Sequence, residues 1–106
     1  MRIYIGADHA GFKEKGQLVA FLKELGHEVL DLGAQELSEE DDYPDYIFPV
    51  ARAVAKDSGS RGIVLGGSGQ GEAIVANRVA GVRAALYYGG SLDIVKLSRE
   101  HNNANI

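Results

Sequence analysis

Apolar and polar positions change period several times along this 106-residue chain. Residues 2–7, RIYIGA, form a short β-branched and aromatic run that predicts a buried strand. From 12 to 25 the period becomes helical. Phe12, Leu18, Val19, Phe21, Leu22 and Leu25 recur at helix spacing, with Lys13, Glu14, Lys15, Lys23 and Glu24 opposite. Gly26 then stands where a helix C-cap glycine belongs. HEVLDLG (27–33) predicts a second strand, and the polar, acidic AQELSEEDD (34–42) a solvated surface connection. Ile47, Val50, Ala51 and Val54 mark the inner face of a helix from near Pro44 to about Lys56. Pro49 fits best in or near a first turn, which favours a start closer to residue 47. RGIVLGG (61–67) reads as a third strand and EAIVANRV (72–79) as a short helix. GVRAALYY (81–88) reads as a fourth strand, SLDIVKLSRE (91–100) as a helix and NANI (103–106) as the first residues of a fifth strand.

Strands alternating with helices predict an α/β fold: a doubly wound, three-layer α/β/α sandwich around a mainly parallel, Rossmann-like sheet. Right-handed crossovers with strand order 2-1-3 make the first and third strands neighbours. The segments that follow them, ADHAG and GGSGQGE, then meet at the carboxyl edge beside a topological switch point, where open α/β sheets bind ligands.

Length and composition narrow the function. The chain, residues 1–106, is expected to form one domain with a single core. A net charge of −4 offers no broad basic surface for nucleic acid or acidic lipid. With no cysteine there is no disulfide framework, thiolate metal site or cysteine nucleophile, which is compatible with a cytoplasmic location. MRIYIGADHAG turns polar after five residues, unlike a signal peptide or membrane span, and no 20-residue apolar stretch follows.

The chemistry concentrates in GGSGQGE (66–72). Four glycines in six residues suit neither a strand nor a helix interior, but they let backbone amides approach an anion at a helix start. The segment is no Walker loop, lacking the Lys-Ser/Thr pair, and it does not match the dinucleotide fingerprint. Gly67, Ser68, Gly69, Gln70 and Gly71 are therefore candidates for an anion cradle, against the plainer reading of a strand-to-helix turn with only a geometric task. Glu72 likewise has two readings: a first-turn carboxylate favoured by the helix dipole, or a general base beside the cradle. Asp8 and His9 form an acid–imidazole pair where strand one ends, and His101 and Asn102 occupy another helix-to-strand junction. His27, directly after the C-cap glycine, reads as structural or exposed. His9, His101 and Glu72 lack compact metal-ligand spacing, so no metal is expected.

Taken in order, DHAGF, LKELGHEVLDLG, DYPDY, GIVLGGSGQGEAIVANRV, GVRAAL and SREHNNAN resemble the type B ribose-5-phosphate isomerases and the related galactose-6-phosphate isomerase subunits. The resemblance runs over the whole chain. One branch of that family carries a catalytic cysteine in a C-G-T-G stretch, at the position of Gly66. The other carries G-S-G-x-G-E and uses the glutamate, and this cysteine-free chain resembles the second. The resemblance implies aldose–ketose isomerisation of a sugar phosphate through a cis-enediolate, with ribose 5-phosphate ahead of a hexose 6-phosphate. Glu72 would move the proton between C2 and C1, and His101 would open the sugar ring. The amides of Gly67–Gly71, with the Ser68 hydroxyl, would hold the enediolate oxygens. Asp8, His9 and Asn102 would grip hydroxyls, with Tyr43 nearby. It implies no metal or organic cofactor, and a homodimer, or a higher homo-oligomer, with sites completed across the interface.

Family members continue past NANI through more strand and helix that carry phosphate-binding arginines, so this chain is expected to lack that portion. Two other readings stay open on the residues alone. One is a non-catalytic sugar-phosphate or nucleotide-binding domain, and the other is a truncated, inactive subunit.

Overall fold

The computed structural model describes all 106 residues. Three parallel strands, β1 (Arg2–Ala7), β2 (Glu28–Asp31) and β3 (Arg61–Leu65), form a sheet in the order β2-β1-β3. Around it lie α1 (Phe12–Glu24), α2 (Pro44–Lys56), α3 (Gln70–Ala76) and α4 (Asp93–Glu100). The architecture is the expected Rossmann-like α/β fold. β1 is central, so the chain steps one way to β2 and the other way to β3. Right-handed connections then place α1 and α2 on opposite faces. The register agrees: Tyr4 pairs with Gly62 and Gly6 with Val64. The Gly6 and Gly62 positions on this face abut Val50 of α2. Ile47, Ala51, Val75, Ala76 and Val82 close the core on that side.

The second helix starts at Pro44 itself and passes through Pro49 without breaking. Pro44 occupies the first helical position, where the missing N–H would be unsatisfied anyway.

Two expectations for α1 are corrected. Phe21 and Leu25 are 55% and 58% exposed, whereas Lys15, expected on the polar face, is buried. The inward stripe is Phe12, Lys15, Val19 and Leu22, spaced three or four apart. Lys15 can lie there because its ammonium pairs with Asp31 at 2.8 Å and also donates to the Ala34 carbonyl. A buried charge with such partners avoids most of the penalty of an unpaired one.

The expected fourth strand (81–88) and the start of a fifth (103–106) do not form a regular ladder. Side-chain amides supply much of the pairing instead. Asn77 bonds the amide and carbonyl of Ala84, at 2.8 and 3.0 Å, and Asn105 Oδ1 accepts from the Arg83 amide at 2.8 Å. Isolated backbone bonds then tie the end of the chain inward, from Gly62 N to Asn105 O and from Ala85 N to Ile106 O. No helix is long and apolar enough to cross a membrane.

Candidate active site

The carboxyl ends of β1 and β3 lie side by side, with Ala7 opposite Leu65. Each chain then leaves the sheet through one of the unusual segments. After β1, Asp8 caps a short 3-10 turn (His9–Gly11) by accepting from the Ala10 amide at 3.0 Å. A Cβ on Gly11 would come 2.6 Å from the Leu65 Cβ, so glycine lets this turn press against the end of β3. After β3, the chain turns through Gly69, whose φ of +80° strongly favours glycine, into α3.

The cradle amides remain uncommitted. Those of Gly67, Ser68, Gly69, Gly71 and Glu72 find no acceptor within the chain, and the Gln70 amide reaches the Ser68 hydroxyl at 3.3 Å. Free first-turn donors of this kind suit an anionic oxygen.

Glu72, third residue of α3, is 6% exposed. Its carboxylate folds back over the start of the loop, where a Cβ built on Gly66 would fall on it. The Tyr43 ring and hydroxyl pack against the cradle at Gly71, with the hydroxyl 2.9 Å from where a Cβ there would be. Asp8, His9, Tyr43, the Gly67–Gly71 segment and Glu72 are thus gathered at one sheet edge.

His9 is held by Asp41. The Asp41 Oδ1 lies 2.8 Å from His9 Nδ1 and accepts the His9 amide at 3.2 Å. The Asp41 carboxylate raises the imidazole above its ordinary pKa, against desolvation and with smaller help from Asp8 and Glu39. Nothing in the composition of SEEDD separated Asp41 from its acidic neighbours. Lys15 did leave a signal, because it falls on the apolar stripe of α1. Asp8, His9 and Asp41 place ligand atoms within 4.8 Å of one another. The hydrogen bond at His9 Nδ1 accounts for the closeness of Asp41 to His9 without an ion, while Asp8 is turned to the Ala10 amide.

His101 and Asn102 follow the last turn of α4, are exposed, and make no side-chain hydrogen bond to the cradle. A groove of about 700 Å³ is lined by Gly66–Gly69 and by Ser98 and Arg99, but not by His101 or Asn102. Its walls are mainly apolar, from β3, Ala84–Tyr88 and α4, and none of Asp8, His9, Tyr43 or Glu72 lines it. The groove therefore adjoins the polar cluster without being centred on it.

The family model described as Ribose/Galactose Isomerase matches residues 3–106. Ribose-5-phosphate isomerase B of Mycobacterium tuberculosis is 49% identical over 106 residues, which is all of this chain and 64% of the relative. The chain thus spans just under two thirds of that protein. The solved structure of the Clostridium thermocellum ribose-5-phosphate isomerase B is 45% identical and superposes with a TM-score of 0.92, over 100% of this chain and 70% of that one. The Mycoplasma genitalium enzyme, solved with bound ribulose-5-phosphate, is 41% identical with a TM-score of 0.93, over 98% and 68%.

Proposed function

This chain belongs to the Ribose/Galactose Isomerase family, and we propose from that membership that it interconverts ribose 5-phosphate and ribulose 5-phosphate. The observation that carries the reading is the buried Glu72 carboxylate beside a row of uncommitted amides. An aldose–ketose isomerisation needs both parts: a base for the C2 proton and donors for the oxyanion that follows. Glu72 removes the C2 proton, and the electron pair moves through the new C1–C2 double bond onto O1. The Gly67–Gly71 amides and the Ser68 hydroxyl stabilise that oxygen. The proton on O2 passes to O1, and Glu72 returns its proton to C1 as the O2 electron pair forms the carbonyl, leaving a hydroxyl at C1 and the ketone at C2. General acid–base transfer typically contributes ~10²–10⁴-fold, so electrostatic stabilisation must supply much of the remaining acceleration.

In this scheme Asp8, His9 and Asn102 hold substrate oxygens, Tyr43 packs beside the cradle, and His101 donates the proton that opens the cyclic sugar. No step requires a metal or organic cofactor. We further propose that the protein is cytoplasmic and works as a homodimer or higher homo-oligomer. The exposed Leu92, Ile94, Val95 and Leu97 of the α4 region, with Tyr88, supply apolar surface for association. The reading is tested by offering ribose 5-phosphate and hexose 6-phosphates to the purified protein and measuring ketose formed. Conversion of the pentose is expected, and binding of sugar phosphates with no conversion of any of them would sink the isomerase reading.

A further inference from the structure

The acidic segment ahead of α2 reads in sequence as a solvated connection, yet one of its carboxylates is built into the site. The Asp41 side chain is 6% exposed. Its Oδ1 meets only His9, through the ring Nδ1 and the backbone amide, and its Oδ2 is buried with no hydrogen-bond partner. All the donors that compensate this carboxylate therefore belong to one residue. A desolvated carboxylate leaves Nδ1 little choice but to carry a proton. The other ring nitrogen, Nε2, has no partner in the chain and is not among the buried unpaired atoms. The titratable groups acting on the ring are Asp41, Asp8 and Glu39, all acidic.

We propose that Asp41 is a positioning residue that fixes the His9 ring with Nδ1 protonated and Nε2 presented to an oxygen of the bound sugar phosphate. The identity of that ligand rests on the isomerase reading, while the state of the ring does not. The charged ring offers Nε2–H as a charge-assisted donor, and the neutral ring offers Nε2 only as an acceptor. Affinity for an acceptor oxygen then falls as His9 loses its proton. Asp41, 32 residues distant in sequence, sets the pH at which that happens. The same carboxylate also pins the amide at the start of the 3-10 turn, so it fixes where the ring stands as well as its charge.

Ring 15N–1H correlation spectra of the intact protein test this, comparing wild type with Asp41→Asn and with Glu40→Gln as an exposed acidic control. The wild type should show the Nδ1–H tautomer once neutral, with a midpoint above that of an ordinary histidine. Asp41→Asn should lower the midpoint and abolish the tautomer preference, while Glu40→Gln should change neither. An Nε2–H tautomer in the wild type, or an unchanged tautomer and midpoint in Asp41→Asn, would overturn the proposal. If Asp41→Asn fails to fold, the wild-type tautomer decides alone. Titration with ribose 5-phosphate across the histidine range supplies the second readout. Asp41→Asn should bind on the order of tenfold more weakly where wild-type His9 is still charged. Equal affinity in the two proteins would also overturn it. Repeating the titration with ribose separates a contact to phosphate, which loses its pH dependence, from a contact to a hydroxyl, which keeps it. Absence of any sugar-phosphate binding would count against the isomerase reading, and the ring spectra would still decide the role of Asp41.

Discussion

Glu72 occupies the space that a side chain at residue 66 would need, so the identity of one residue depends on that of the other. Gly66→Ala is expected to drive the carboxylate off its position while the strand-to-helix turn persists. A displacement of about 1 Å can cost on the order of 10²-fold in rate, so turnover should fall by that order. Overpacking should cost about 1–3 kcal/mol of stability. Steady-state kinetics with a parallel urea melt check both, and full activity in the variant would show that Glu72 need not lie against residue 66. His9 supplies a pH dependence at the same scale. Its folded pKa is raised by Asp41, so the stabilisation is present in full below the unfolded value of about 6.5 and is lost as pH rises through the folded value. Wild type should therefore lose urea stability relative to Asp41→Asn as pH climbs through that window. Parallel pH profiles for the two proteins would refute the assignment.

Helices and strands were legible in the sequence wherever the backbone bonds to itself in a regular ladder. β1 appears at the residues that periodicity predicts, α2 starts at Pro44 rather than closer to residue 47, and β2, β3 and α1 differ from the predicted spans only at their ends. Segment 81–88 has the composition of a strand, but composition does not reveal that Asn77 and Asn105 will satisfy part of its backbone. Lys15 departs from the rule that charge marks the outer face because its partners lie far along the chain: Asp31 ends β2 and Ala34 follows it. The candidate site divides in the same way. The Gly-rich cradle and Glu72 are contiguous and could be read directly, while the Asp41–His9 pair joins two loops and could not. The Lys15 contacts hold the end of β2 near the site, for Ala34 also donates its amide to the carbonyl of Ala7, one residue before Asp8. Lys15→Ala should destabilise the fold by about 1.5–3 kcal/mol, the range for hydrogen bonds to charged groups. Lys15→Arg should retain part of that stability. Chemical denaturation decides, and an unchanged midpoint in Lys15→Ala would mean that the buried pair contributes nothing net.

Across the whole molecule, most of the arginines that a phosphate would seek are already engaged. Arg2 pairs with Glu28 and Asp57, both at 3.0 Å, and Arg83 donates to the Asn103 and Gly81 carbonyls. Arg61 bonds the Ser60 carbonyl, Arg52 lies over the Phe48 ring, and Arg99 donates to the Ala104 carbonyl. Arg78 ends the region that the cradle begins, a helix length from the free amides. Residues 1–106 alone should therefore bind ribose 5-phosphate little more tightly than ribose, since a phosphate dianion is normally held by arginine forks. Calorimetric titration of both sugars tests this, and tight, phosphate-dependent binding would contradict it. Proton transfer by Glu72 leaves a direct isotopic signature. Wild-type protein saturated with ribose 5-phosphate in deuterated water should exchange the substrate C2 proton with solvent. Glu72→Gln, which nearly preserves shape and removes basicity, should abolish that exchange while remaining folded. Near-normal exchange in Glu72→Gln, or no exchange by the saturated wild type, would contradict proton transfer by Glu72.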